Sequence, residues 1–213
     1  MAKFVNGILG GFSGKVGTII GACWNGIDYM RGLATSITNP KTLAQQEQRA
    51  KFSLIIAFLR PLTAFLRLGF KSAALKMSAF NAAMAYNVKN AVKGLFPAFE
   101  IDYTKVLVAK GPLAGILNPH PTSVTPGQLN LTWDDNMDEA YAMGDDRLYI
   151  VVINPLLKKA VSVIADETRL AGTGIVTLPE AWSGNEVECY AGFTNASESL
   201  ISDSYYAGKV AVA

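Results

Sequence analysis

From about residue 125 the chain is written in short β-rich runs separated by turn residues. This texture constrains the fold more than any other feature. The runs are GQLNLTW, RLYIVVIN, KAVSVIA, GIVTLP, EVECYAGF and SYYAGKVAVA. Apolar residues alternate at Leu129, Leu131 and Trp133, and again at Val187, Cys189, Ala191 and Phe193. A period of two puts such side chains on one face of a strand. Six or seven such runs in about 90 residues predict a β-sandwich.

The preceding half has a different composition. Residues 1–111 carry 14 Lys and Arg against 4 acids, and residues 112–213 carry 5 against 13, for net charges of +10 and −8. Two regions of opposite field attract each other. The contact falls either within one chain or between the basic half of one copy and the acidic half of the next. Half the residues are hydrophobic and 17% are charged, which argues for a buried core and against disorder.

The stretch GTIIGACWNG admits two readings. Ile20-Gly21-Ala22-Cys23 has the form of a lipoprotein cleavage box. The apolar run that must precede such a box is interrupted by Asn6, Ser13 and Lys15 and diluted by glycine. Gly7, Gly10, Gly14, Gly17 and Gly21 also step at helical spacing, as in packed membrane helices. Lys15 lies in the middle of that stretch at high insertion cost, so no membrane insertion is expected. The hairpin reading costs least. KVGTIIGACW and IDYMRGL flank Asn25-Gly26, the preferred pair for a type I′ turn. Glycine weakens a strand unless another backbone comes close. The hairpin therefore either covers its own domain or forms an inter-subunit joint.

A helical region follows. Asn39-Pro40 stops the preceding segment and Thr42 is placed to cap a helix. Leu43, Phe52, Ile55, Ile56 and Leu59 build its apolar face, and Pro61 ends or kinks it. Two further segments, LTAFLRLGF and SAFNAAMAYNVKNAVKG, run to Gly94, and FEIDYTKVLVAK reads as a strand. Arg49, Lys51, Arg60, Arg67, Lys71, Lys76, Lys89 and Lys93 form a basic stripe that either holds phosphates or is a solvated face. The phenylalanines at helical spacing read as core.

LNLTW resembles the second strand of a fibronectin type III domain, where an inward Trp anchors the core. LPEAWSGNEVECYAGFTNASES resembles the same family's Leu-Pro, Gly and alternating strand, with Leu178, Pro179 and Gly184 in place. The chain departs at Val187, where that family usually places a corner tyrosine. A wider resemblance rests on SGKVGTIIGACWNGIDYMRG and NPKTLAQQEQRAKF followed by the sandwich. That order is similar to a family of short Bacteroidetes proteins of unknown function. The piece Asn39-Pro40-Lys41-Thr42, then Gln45 or Gln46, Arg49 and Phe52, resembles a segment of phage structural proteins. These resemblances imply a virion-like or assembly role and bring no catalytic residues.

The motifs of reaction chemistry do not occur. No P-loop, nucleophile elbow or dinucleotide fingerprint is present. His120 lies between prolines in what reads as an extended linker, with no second histidine. Cys23 and Cys189 have no metal-ligand spacing and either pair or stay as buried thiols. Asp134, Asp135, Asp138, Glu139, Asp145 and Asp146 crowd one loop without the EF-hand pattern. That loop reads as solvated, or as docking to a basic surface, ahead of binding calcium.

The resulting expectation is an α+β chain: an N-terminal β-hairpin plus helices, then an all-β immunoglobulin or fibronectin III-like sandwich. Its divisions are a basic domain over 1–111, a Pro/Gly-rich linker over 112–126 and an acidic sandwich over 127–213. The expected function is a non-enzymatic structural subunit that self-assembles, without cofactor. The joint residues are Gly14, Gly17, Gly21, Trp24, Asn25, Gly26 and Arg31. Arg49, Lys51, Arg60 and Arg67 on the helices would meet the six acids of the loop. The expected partner is a second copy of the chain, or other phage-like or surface structural proteins. The rival readings are a ligand-binding or adhesion sandwich, with Trp182, Tyr205 and Tyr206 as contact aromatics, and a nucleic-acid-associated protein. Cytoplasmic synthesis without a cleaved signal peptide is expected, with release in a particle or filament as a further step.

Overall fold

The computed structural model describes the backbone of residues 2–3, and residues 13–24, 26–36, 39 and 41–213. Asn25 and Pro40 lie outside the described residues. The chain divides into two units, residues 1–45 and 46–213.

The first unit is an antiparallel sheet of β1 (Ala2–Lys3), β2 (Gly14–Val16), β3 (Ile19–Trp24) and β4 (Ile27–Gly32), in the order β1-β4-β3-β2. KVGTIIGACW is therefore not one strand. Val16 pairs with Ile19, so Gly17-Thr18 makes a tight turn, and Gly17 takes a φ of +59° that a side chain would resist. Trp24 pairs with Ile27, and Gly26 has a φ of +76°, so the predicted hairpin turns where expected.

The second unit begins in α1 (Leu43–Leu59), which Thr42 caps by accepting the Gln45 N–H at 3.4 Å. A 3₁₀ turn containing Pro61 leads into α2 (Thr63–Gly69). Ser78 caps α3 (Ala79–Asn90), accepting the Asn81 N–H at 3.2 Å. That helix stops before Gly94, where β5 (Val92–Lys93) pairs with β6 (Glu100–Ile101). FEIDYTKVLVAK keeps only those two strand residues. A 3₁₀ turn over Tyr103–Lys105 and the buried run Val106–Ala109 follow. Asn87 holds that run: its amide donates to the Leu107 carbonyl at 2.9 Å and accepts the Leu107 N–H at 3.0 Å.

Seven strands then build a sandwich: β7 (Leu117–Thr122), β8 (Gln128–Asp134), β9 (Arg147–Asn154), β10 (Lys159–Thr168), β11 (Thr173–Thr177), β12 (Glu186–Thr194) and β13 (Tyr205–Ala211). One sheet runs β11-β8-β7 and the other β10-β9-β12-β13. The alternating residues face inward as predicted. Leu129, Leu131, Trp133, Val187, Cys189, Ala191 and Phe193 share one core with Leu148, Ile150 and Val152.

The expected boundary at 111 is corrected by the opposite face of the same sheet. Tyr149, Val151 and Ile153 on β9 and Tyr190 on β12 join a second core with Ile55, Leu59, Leu62, Phe65, Leu66 and Phe70 of the helical region. Helices and sandwich are one body of three layers, with the four-stranded sheet in the middle. Its strands β9 and β12 are buried along nearly their whole length. By length and apolarity alone the helical run Leu43–Gly69 is long enough to cross a membrane. Burial of a helix face in a protein core satisfies the same pattern.

The expected linker is also corrected. Residues 117–122 form β7, so His120 sits on a strand. Pro119 and Pro121 are tolerated because β7 is an edge strand, where a missing N–H costs no interior bond. Upstream, Gly111 N–H donates to Asp203 Oδ1 at 2.9 Å and Ser204 N–H to the Ala109 carbonyl at 3.0 Å. The connection is bonded to the β12–β13 loop.

Candidate assembly surface and cavity

Register sorts the N-terminal sheet into two faces, because residues directly opposite in an antiparallel pair point the same way. One face carries Lys15, Ile20, Ala22, Trp24, Ile27, Tyr29 and Arg31. The other carries Gly14, Val16, Ile19, Gly21, Cys23, Asp28, Met30 and Gly32, with Gly14 opposite Gly21 and Ile19 opposite Gly32. The joint residues are thus divided: Gly14 and Gly21 on one face, Trp24 and Arg31 on the other, Gly17 and Gly26 in the turns. Val16 is 65% exposed, Ile19 45% and Trp24 50%. A Cβ added at Gly32 would meet nothing within 4 Å among the described residues, and its φ is not in the left-handed region. Neither its own backbone nor a neighbour among the described residues requires glycine there.

Cys23 and Asp28 are cross-strand partners on the second face. A hydrogen bond to the Asp28 carboxylate, then desolvation, raise the Cys23 thiol pKa above its ordinary value. Burial, then the Glu188 charge, push Cys189 up to about 12. Both cysteines are free. At mildly alkaline pH, titration with a chromogenic disulfide should therefore label one thiol per native chain, Cys23, and Asp28→Asn should speed that reaction. A second thiol reacting without unfolding, or no acceleration in Asp28→Asn, would contradict this.

The charged clusters separate from one another. Arg60 lies exposed on the 3₁₀ turn and Arg67 exposed on α2. Arg49 is exposed on α1, and the half-buried Lys51 ammonium stands 4.9 Å from the Phe99 ring centroid. In the acidic loop Asp134, Asp135, Asp138, Glu139 and Asp145 are exposed, whereas Asp146 is buried. Asp146 is thus corrected from a docking residue to half of an internal ion pair with Arg169, at 3.1 Å. Arg169 itself went unread in the sequence. Nothing local marks it, and the bonds it makes reach residues 23 to 55 positions away. Among the described residues no group of three His, Cys, Asp or Glu converges to hold a metal ion.

The aromatic contact set is corrected too. Trp182 is 2% exposed and belongs to the sandwich core. Tyr206 donates to Glu188 Oε2 at 2.6 Å and packs on Tyr190, with ring centroids 5.5 Å apart. Only Tyr205 of the three is exposed.

A cavity of about 210 Å³ opens between α1 and the β9–β10 turn. Leu54, Phe58, Pro61, Ile101 and Ile153 are among its apolar walls, and Asn154 and Lys158 line it as well. Asn154 is fully buried. Its Oδ1 accepts the Leu157 N–H at 3.0 Å, while its Nδ2 has no hydrogen-bond partner among the described residues. Lys158 holds a φ of +53°, a conformation that glycine or asparagine adopts at lower cost.

The fold comprises a seven-stranded β-sandwich with a helical layer on its four-stranded sheet, and a separate small N-terminal sheet. The chain belongs to a family of unknown function (DUF6266), whose profile matches residues 11–208. No curated protein matches it. Solved structures similar to it include the fn3 domain of human collagen alpha-1(XX) chain, at 15% identity and TM-score 0.34, covering 47% of this chain and 88% of that one. Another is the fn3 domain of human contactin 1, at 12% identity and TM-score 0.33, covering 49% and 82%.

Proposed function

We propose that the protein is a structural subunit that self-assembles, with the N-terminal sheet as its joint and a second copy as its partner. The observation that carries this reading is the glycine-lined face of that sheet. Val16 and Ile19 stand exposed beside Gly14 and Gly32, where a neighbouring backbone has room to approach. A small sheet needs a packed hydrophobic face to be stable, and among the described residues only Gly21 of this one is buried. Stacking on a copy, or adding a strand along β2, supplies that packing. Asp134 at the end of β8, the four exposed acids of the β8–β9 loop and the exposed helix cations give the contact a salt-sensitive part. The likeness of the Asn39–Phe52 segment to phage structural proteins fits the same role.

Light-scattering mass of the full chain at low and high salt tests this. Assemblies larger than one chain, loosened by salt and lost in Val16→Lys/Ile19→Lys, are expected. A monomer at every salt and concentration overturns the reading.

A further inference from the structure

Glu188 is 5% exposed, yet among the described residues no cation pairs with it. It lies on β12 directly opposite Lys209 of β13. The strand period turns both away from the sandwich core, into which the neighbouring Val187 and Cys189 point. The Lys209 ammonium bonds Glu186 Oε2 instead. Of the Glu188 carboxylate oxygens, Oε2 accepts the Tyr206 hydroxyl at 2.6 Å. Oε1 accepts no bond from a described residue, and it is not sealed in: it keeps access to a cleft of about 590 Å³ that Glu188 lines. A carboxylate so far removed from water is costly unless a cation or several donors compensate it. Tyr206 supplies one neutral donor, which leaves Oε1 to what enters the cleft.

The remaining walls narrow the choice. Tyr103, Pro155 and Leu156 form an apolar side, and Glu186 with Lys209 lies on the other. Tyr190 fixes Tyr103 in place by donating its hydroxyl to the Tyr103 carbonyl at 2.8 Å. An aromatic ring near a carboxylate suits an organic cation, which is attracted by both. Glu186, Glu188 and Lys209 together carry a net charge of −1, so a monocation neutralises the cleft. A hard divalent ion takes six or more oxygens, and among the described residues no three acidic, His or Cys side chains converge.

We infer that this cleft binds a small primary amine as its ammonium ion, with Glu188 Oε1 as the acceptor and Tyr103 against the apolar body. The inference is independent of assembly, since no residue of the N-terminal sheet, the acidic loop or the helix cations takes part.

Titration calorimetry of the full chain at neutral pH with phenethylamine and with hexylamine tests it, against phenethyl alcohol and hexanol as uncharged counterparts. Saturable one-site binding of at least one amine is expected, with the matching alcohol weaker by about tenfold or more, the worth of a charge-assisted hydrogen bond. Glu188→Gln keeps an acceptor for the Tyr206 hydroxyl, removes the charge and should abolish binding. Lys209→Met, at a half-exposed site, removes a like charge from the wet mouth of the cleft and should tighten binding by about threefold. That second variant keeps the test decisive if Glu188→Gln does not fold. The inference is overturned if neither amine binds at millimolar concentration, if the alcohols bind equally well, if folded Glu188→Gln binds as the parent does, if Lys209→Met binds no tighter, or if calcium chloride binds more tightly than either amine.

Discussion

Replacing Arg169 by alanine is expected to cost about 3–5 kcal/mol of stability, the range for leaving one partner of a buried ion pair uncompensated. Arg169 and Asp146 side chains are 0% and 1% exposed. The guanidinium also donates to Asn136 Oδ1 at 2.6 Å and to the carbonyls of Ala114 and Gly115 at 2.9 and 3.1 Å. It lies 4.0 Å from the Phe193 ring centroid. One side chain thus ties the start of β7, the acidic loop and the β10–β11 turn to the sandwich core. Arg169→Lys should recover little, because one ammonium does not reproduce a planar fork with several donors. Replacing both partners by apolar residues should cost less than Arg169→Ala alone, since no charge is then stranded. Urea unfolding measures all three. A loss at or below about 1 kcal/mol for Arg169→Ala, the worth of an exposed pair, would contradict this account.

Leu59→Ala should cost about 2–5 kcal/mol, as for other fully buried leucines, and should lower the midpoint of sandwich and helices together. Leu59 is 0% exposed in the core shared by the helices and the outward face of β9. If the layers are one cooperative body, helical ellipticity and near-ultraviolet signals will move in a single transition. The converse experiment is a fragment of residues 112–213. It would expose Tyr149, Val151, Ile153 and Tyr190 on one sheet face, a patch of the kind that drives association. Dye binding and aggregation of that fragment are expected. A stable, dye-silent monomer would show that helices and sandwich fold separately.

The inward alternation of β8 and β12 was legible because each face has its own period of two. The helix caps at Thr42 and the turn at Gly26 were legible because local chemistry fixes them. The third layer was present in the sequence but went unread. RLYIVVIN has no alternation, which is the mark of a strand buried on both faces. Reading it so would have demanded a second cover for β9 and pointed to the neighbouring helices. Pro119 and Pro121 disguised β7 as linker because proline marks turns and sheet edges alike. The Arg169–Asp146 pair was not legible. A cluster of six acids gives no sign of which one folds inward, and the deciding partner lies 23 residues further on. The cavity was equally hidden, since its walls come from α1, β6 and the β9–β10 turn.

Amide hydrogen exchange across β2, β3 and β4 at rising protein concentration tests the assembly claim most directly. If a second copy completes that sheet, protection of Gly14–Gly32 will grow with concentration while β9 and β12 stay constant. Val16→Lys/Ile19→Lys will abolish the dependence. Exchange in Gly14–Gly32 that does not change with concentration would contradict the claim that this sheet is the joint.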